Sequence, residues 1–411
     1  MLSIADLTDW MDENTGPQVF WYVKRLSGND TLANGTHQAG PYIPREVLFK
    51  IFPSMNRPLV ENPNKWFDLR IDSHGDARSV RAVWYNSKVR NVGTRNETRL
   101  TNFGGAESVL LDPESTGSLA IFAFHRGDDG DSKTCNVWVC GFEAEADLVE
   151  ERIGPVEPGR WRIWTVDEQE QNFFETAPKS RASCWLEANE IPAAWLKEFP
   201  TGAEIIRKTV ELRGDHDIPV DQRLLKRRQC EFEIFKSLEQ AVELPMIRRG
   251  FETVDAFINR ANSILQRRKS RSGRSLELHA REIFLEENLH ESADFQHQPE
   301  SDSGKRPDFL FPSQAAYKDA NFPAHKLRML AAKTTCKDRW RQVINEAERI
   351  ETKHLLTLQE GISVGQFKEM TEAKVQLVVP LPLVQAYPKS VQPHLQTLAG
   401  FIAELQHLRV T

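Results

Sequence analysis

At 411 residues the chain is long enough for two or three domains, and its 40% hydrophobic and 27% charged residues are ordinary for a soluble globular protein. A formal net charge of −6 gives no overall attraction to nucleic acid, although acidic residues elsewhere can offset a basic face. The acidic start MLSIADLTDWMDENTG excludes a signal peptide, and no stretch approaches the ~18 apolar residues of a membrane span, so a cytoplasmic protein is expected. The five cysteines (Cys135, Cys140, Cys184, Cys230 and Cys336) form no CxxC pair and are odd in number, which predicts free thiols in a reducing compartment and no zinc site.

To about residue 170 the chain reads as short strands separated by Gly, Asn and Asp clusters such as LSGNDTLANGTHQAG and RGDDGDS. The aromatic and β-branched segments FWYVKRL (20–26), REVLFKIF (45–52), WFDLRIDS (66–73), VRAVWYN (80–86), LAIFAFHR (119–126) and CNVWVCGF (135–142) predict a β-rich barrel or sandwich with a helix or two. Between 165 and 185 the pattern dissolves into DEQEQNFFETAPKSRA, a polar stretch without a period. The predicted organisation is a first domain over 1–175, a linker over 176–185 and a second domain over 186–411.

Beyond the linker the period turns helical. Segments 220–243, 252–266 and 275–289 predict three helices, and RRKSRSGR between the last two has five basic residues and no acidic one. DFLFP (308–312), LRMLAAK (327–333), HLLTLQ and VQLVVP predict strands; CKDRWRQVINEAERI (336–350), SVGQFKEMTEAK and the C-terminal segment predict helices. Strands alternating with helices imply a mixed α/β sheet covered on its faces.

One constellation suits phosphodiester hydrolysis. Asp308 opens one strand and Lys333 ends the next, 25 positions later, so adjacent strands can bring both to one end of the sheet. Lys337 starts the following helix, on which Arg339, Gln342 and Glu346 share one face while Trp340, Val343, Ile344 and Ala347 pack on the sheet. Mg²⁺ is typically held by one or two carboxylates with water and phosphate, a role for Asp308 and Glu346. A lysine beside it orients or deprotonates water and stabilises charge, a role for Lys333. The helix start, with Lys337, Arg339, Arg341 and a Thr335–Asp338 capping box, invites a phosphate. Spacing alone leaves open a solvated helix face with intrahelical ion pairs.

The blocks KRPDFLFPSQAAY, LRMLAAKTTCKDRWRQVINEAE and FPTGAEII, with YVKRLSGNDT, THQAGPYIP, YNSK and TRNETRLT in the first half, carry a nearly full-length resemblance. The chain resembles the EcoRII-type restriction endonucleases of the PD-(D/E)xK nuclease superfamily. That resemblance implies an α+β protein with two domains. The N-terminal one would be a DNA-binding pseudobarrel that binds a further copy of the site and restrains cleavage. The C-terminal one would be a dimeric restriction-endonuclease-like core with a mixed sheet. Double-stranded DNA would be cut at CC(A/T)GG with Mg²⁺, more than one site being needed.

Carried onto this sequence, the resemblance implies active-site residues Asp308, Lys333, Lys337 and Glu346, with Tyr317 nearby. Ala331 stands where the superfamily has an acid, and Glu346 takes its place. Asp338 and Arg339 match readers of the outer C·G pairs, and Arg228 and Phe232 match positions that hold flipped central bases. Glu277 is either a further metal carboxylate or part of a surface ion pair, and RRKSRSGR is read as a phosphate-contacting loop. In the first half, Arg25, His37, Tyr42, Arg95, Glu97 and Arg99 match effector-site positions. Gly93 and Thr98 stand where lysines are expected, which predicts weaker or less salt-sensitive effector binding. The alternative reading is a DNA-binding regulator that keeps the fold without cleavage; a repair nuclease is a third.

Overall fold

The computed structural model describes residues 4–35, 40–104, 107–165, 183–302 and 304–410. Packing divides the chain into two units. The first holds Met1–Phe173 with Gln359–Glu369 and Gln385–Pro393; the second holds Phe174–Leu358, Met370–Val384 and His394–Thr411. Two stretches of the expected 186–411 domain thus pack with the first unit. The cause is local: the Gly28 N–H donates to the Glu360 carbonyl at 2.7 Å, and a Cβ at Gly28 would run into the Ala386 carbonyl. Most of the predicted linker lies outside the described residues.

The first unit contains α1 (Ile4–Glu13), β1 (Val19–Arg25), α2 (Arg45–Ile51), β2 (Asn64–Ile71), β3 (Asp76–Tyr85), β4 (Glu97–Thr101), β5 (Leu119–Arg126), β6 (Ser132–Val139), α3 (Glu143–Ile153) and β7 (Trp161–Thr165). The strands form one sheet in the order β4-β3-β2-β6-β5-β1-β7, antiparallel except where β2 meets β6. Alternation along β1 sends Phe20 and Tyr22 into one core with α2, and Val19, Trp21 and Val23 into another with α1 and α3. Both faces are covered, so every residue of β1 is buried. The β-rich expectation holds, with one element corrected: REVLFKIF is a helix, not a strand. Pro44 precedes it, and Val47, Leu48 and Ile51 are buried on one stripe while Arg45 and Glu46 face water.

The second unit contains α4 (Ala193–Lys197), α5 (Gly202–Leu212), α6 (Val220–Arg249), α7 (Val254–Glu286), β8 (Gln296–His297), β9 (Phe309–Phe311), α8 (Gln314–Lys318), β10 (Arg328–Lys333), α9 (Trp340–Val343), β11 (Lys353–Thr357), β12 (Val375–Val378) and α11 (Leu398–Val410); α10 (Val364–Glu372) straddles the division. The sheet runs β12-β11-β10-β9-β8, parallel from β12 to β10 and antiparallel beyond, as a mixed α/β core requires. Leu276, Ala280, Ile283 and Phe284 of α7 and Phe401, Ile402 and Leu405 of α11 cover one face. Phe284 stands edge-on to Phe295, Phe309 and Phe311, at 5.2–5.6 Å between centroids.

Three expectations are corrected here. The two helices predicted at 252–266 and 275–289 are one helix of 33 residues. It runs through RRKSRSGR because that segment is paired: Arg267 with Glu243 at 2.8 Å, Arg268 bidentate on Glu239 at 2.7 and 2.8 Å, and Arg271 with Glu231 at 3.0 Å, all across α6. These arginines build a helical hairpin and not a phosphate loop. Second, the helix expected over 336–350 is only Trp340–Val343, without a side-chain cap. Third, Cys184 and Cys230 form a disulfide, while Cys135, Cys140 and Cys336 are buried free thiols. The bridge closes a separation of 46 residues. Cys230→Ser is therefore expected to lower unfolding free energy by ~2–4 kcal/mol in a denaturant titration, with reductant having the same effect on the parent and none on the variant. An unchanged midpoint in both would mean that the bridge contributes nothing.

Candidate active site

Asp308 follows Pro307 and immediately precedes β9, where its carbonyl accepts the Gln298 N–H at 2.9 Å. Its carboxylate accepts the Ala332 N–H at 2.7 Å, and the Lys333 ammonium at the end of β10 stands 3.7 Å away. The antiparallel register, Leu330 opposite Phe309, brings these two strand ends together as expected. Ala331, where an acid was expected from the resemblance, is fully buried.

The second carboxylate comes from beyond α9. Glu346 lies in the irregular stretch after Val343, so the helix face that it was expected to share with Arg339 and Gln342 does not form. Burial, and then the Asp308 charge, push its pKa up to about 7 against the opposing pull of Lys333 and Lys353. Its Oε2 is buried with no hydrogen-bond partner among the described residues. Burial also raises the Asp308 pKa, aided by Glu277 and opposed by Lys333 and the Ala332 N–H. Two carboxylates driven towards protonation, one with an orphaned oxygen, suit a hard divalent cation with oxygen ligands. Among the described residues no group of three or more His, Cys, Asp and Glu is placed to hold an ion, so the fit is two carboxylates completed by water and phosphate.

Glu277 on α7 is buried and accepts from Gln298 at 2.6 Å and from His297. It acts on Asp308 through charge and is not a surface ion pair. Lys337 and Asp338 lie in the turn before α9, and Asp338 pairs with Arg341 at 3.6 Å. Arg339 directly precedes α9. The Thr335–Asp338 capping box is not formed. Tyr317 of α8 is buried, its O–H donating to Asp302 and accepting the Arg349 N–H at 3.2 Å. The residues that sequence reading missed are His297, Gln298, Asp302 and Lys353. For His297, Gln298 and Asp302 the signal is long-range, since each bonds to a group 15 or more positions away; Lys353 bonds locally, to the Ala347 and Ile350 carbonyls, in a stretch with no repeating pattern.

Residues 15–168 match the family described as "Restriction endonuclease EcoRII, N-terminal", and 235–402 match "EcoRII C terminal". The chain is 43% identical over 404 residues to the type II restriction enzyme EcoRII of Escherichia coli, covering 97% of each. The chain belongs to the EcoRII restriction endonuclease family. It is a site-specific, DNA-binding type II restriction endonuclease with the family's two-domain α+β fold. Members of the EcoRII family generally depend on a divalent metal. Two solved structures of metal-depleted Ecl18kI, with uncleaved DNA and with uncleaved modified DNA, share 18% and 17% identity over 52% of this chain and 80% and 82% of theirs, each with a TM-score of 0.42. No helix among the described residues is long and apolar enough to cross a membrane.

Of the residues expected at an effector site, Arg95, Glu97 and Arg99 come together on and beside β4. Arg95 donates to Glu97 at 2.9 Å and lies 3.9 Å from the Tyr85 ring centroid; Glu97 faces Arg99 at 3.5 Å. Tyr42 bridges to Arg99 through its backbone and is exposed. Arg25 is buried in ion pairs with Glu150 at 2.9 Å and Glu143 at 3.8 Å. His37 lies outside the described residues. Thr98 points inward and donates to the Ile43 carbonyl, and a Cβ at Gly93 would sit 2.7 Å from Ser87 Oγ. Thr98 thus occupies a buried position poorly suited to a lysine, whereas Gly93 is exposed. Arg228 is buried, donating to Ser275 and 3.5 Å from Glu231, while Arg271 and Lys236 lie over the Phe232 ring at 5.2 and 5.7 Å.

Proposed function

We propose that this endonuclease hydrolyses double-stranded DNA at CC(A/T)GG-type sites with Mg²⁺. The supporting observation is the meeting of the Asp308 carboxylate, the Lys333 ammonium and the orphaned Glu346 carboxyl at one end of the sheet. Asp308 and Glu346 would hold the cation, and Glu277 would add negative charge behind them. Mg²⁺, when bound, supplies Lewis acidity at the scissile phosphate and lowers the pKa of attacking water. Lys333 orients that water, takes up its proton or stabilises the charge that develops at phosphorus. Lys337, Asp338 and Arg339 lie in the adjoining turn, where DNA backbone and outer base pairs would be met, and Arg228 and Phe232 would receive the central bases.

The Tyr42, Arg95, Glu97 and Arg99 cluster supports a second DNA site in the first unit, binding a further copy of the sequence and restraining the nuclease until it is filled. The second unit would pair in a homodimer so that both strands are cut, and the protein would work in the cytoplasm. The test is cleavage of a plasmid carrying several CC(A/T)GG sites, with Mg²⁺ or EDTA, beside Asp308→Ala. Discrete fragments with Mg²⁺ from the parent alone are expected. Equal cutting by Asp308→Ala would remove the assigned metal site. Faster cutting of many-site than single-site DNA is expected from the effector reading, and equal rates would remove it.

A further inference from the structure

Glu346, whose carboxyl feels the Asp308 charge, is positioned without a helix to carry it. After α9 ends at Val343 the chain turns through Ala347, whose φ of +49° costs ~1–3 kcal/mol for a residue with a β-carbon. Such a path persists only where its surroundings fix it, and here they do so from two sides. Lys353, buried at the start of β11, donates to the Ala347 carbonyl at 2.7 Å and to the Ile350 carbonyl. From the other side, Asp302 accepts the Glu348 N–H at 3.1 Å, and Tyr317 accepts the Arg349 N–H while donating to Asp302 at 2.9 Å. The Arg349 guanidinium returns to the Asp319 and Phe322 carbonyls at 2.8 and 2.7 Å, fastening the turn to the end of α8.

We infer that Tyr317, Asp302 and Lys353 are positioning residues, which clamp the 346–350 turn so that Glu346 faces Asp308 across the cation, and that Tyr317 takes no part in the chemistry. The clamp rests on the reading of Glu346 as a metal carboxylate. Burial, with the Asp302 bond and charge, pushes the Tyr317 pKa up to about 12, which keeps the phenol neutral and donating at working pH.

The test uses the full chain, with Mn²⁺ binding read by electron paramagnetic resonance and cleavage read against Mg²⁺ concentration. Glu346→Gln, Tyr317→Phe, Asp302→Asn and the Glu346→Gln/Tyr317→Phe double variant are compared, each checked for folding by thermal unfolding. Tyr317→Phe and Asp302→Asn are expected to weaken Mn²⁺ binding ~10-fold and Glu346→Gln ~100-fold, the range for groups at and behind a metal. Saturating Mg²⁺ should return the cleavage rate of Tyr317→Phe to that of the parent, and Tyr317→Phe should add nothing to Glu346→Gln. Unchanged Mn²⁺ affinity in Glu346→Gln would overturn the carboxylate reading itself. With that variant weakened, parental affinity in both Tyr317→Phe and Asp302→Asn would overturn the clamp. A full additional loss in the double variant, or a low rate at saturating Mg²⁺, would overturn it by giving Tyr317 a role of its own.

Discussion

Lys333→Ala is expected to lower DNA cleavage by at least ~10³-fold while leaving specific DNA binding within a few-fold of the parent. Lys333 stands 3.7 Å from Asp308, and its charge is the first opposing influence on the raised pKa of both Asp308 and Glu346. Removing it acts twice. The cation site loses the ammonium that keeps its carboxylates ionised, and the reacting phosphate loses a charge fixed at the end of a buried strand. Lys333→Arg restores the charge but not a group able to accept a proton, since a guanidinium stays protonated. Its rate separates charge stabilisation from proton transfer. Binding is read by gel shift with Ca²⁺ and cleavage by single-turnover kinetics with Mg²⁺. Substantial cutting by Lys333→Ala would transfer the role to Lys337, in the neighbouring turn.

The second large effect concerns pH. Glu346, held near pH 7, must lose its proton to bind a cation. At subsaturating Mg²⁺, cleavage is therefore expected to rise with pH and level off above about 7. Below that, apparent Mg²⁺ affinity should fall ~10-fold per pH unit, because one proton competes with the metal. Saturating Mg²⁺ should move the inflection to lower pH. Stability follows the same sign. A carboxyl whose folded pKa is raised contributes stability that is fully present below its unfolded value, and that contribution is lost as pH rises through about 7. Asp308, also raised, has the same sign. The metal-free protein should thus lose stability across this window, and Mg²⁺ should raise its melting temperature more at pH 8 than at pH 6. Glu346→Gln should abolish the difference. An equal Mg²⁺ effect at both pH values in the parent would mean that Glu346 is not the titrating ligand.

The sequence by itself determined the change from a β-rich first half to a mixed α/β second half, the strands at DFLF, RMLAAK, HLLT and VQLV, and the approach of Asp308 to Lys333. Short apolar runs such as DFLF and RMLAAK have one economical use, as buried strands, and polar residues at their ends must lie at the sheet's edge. Local periodicity could not decide REVLFKIF, whose apolar stripe suits either a strand or a short helix until the sheet that it covers is in place. Nor could it decide RRKSRSGR, which reads as a phosphate loop only while the glutamates of α6 are unseen. The position of Glu346 was decided entirely by tertiary structure. It lies beyond the end of α9, next to a left-handed residue, Ala347, in a turn held by Lys353, Asp302 and Tyr317. The same holds for Glu277, placed behind the site by His297 and Gln298. Period reports which face of an element is apolar, whereas these carboxylates are placed by hydrogen bonds outside any repeating element, several of them between residues far apart in the chain, which leave no repeating trace in the sequence.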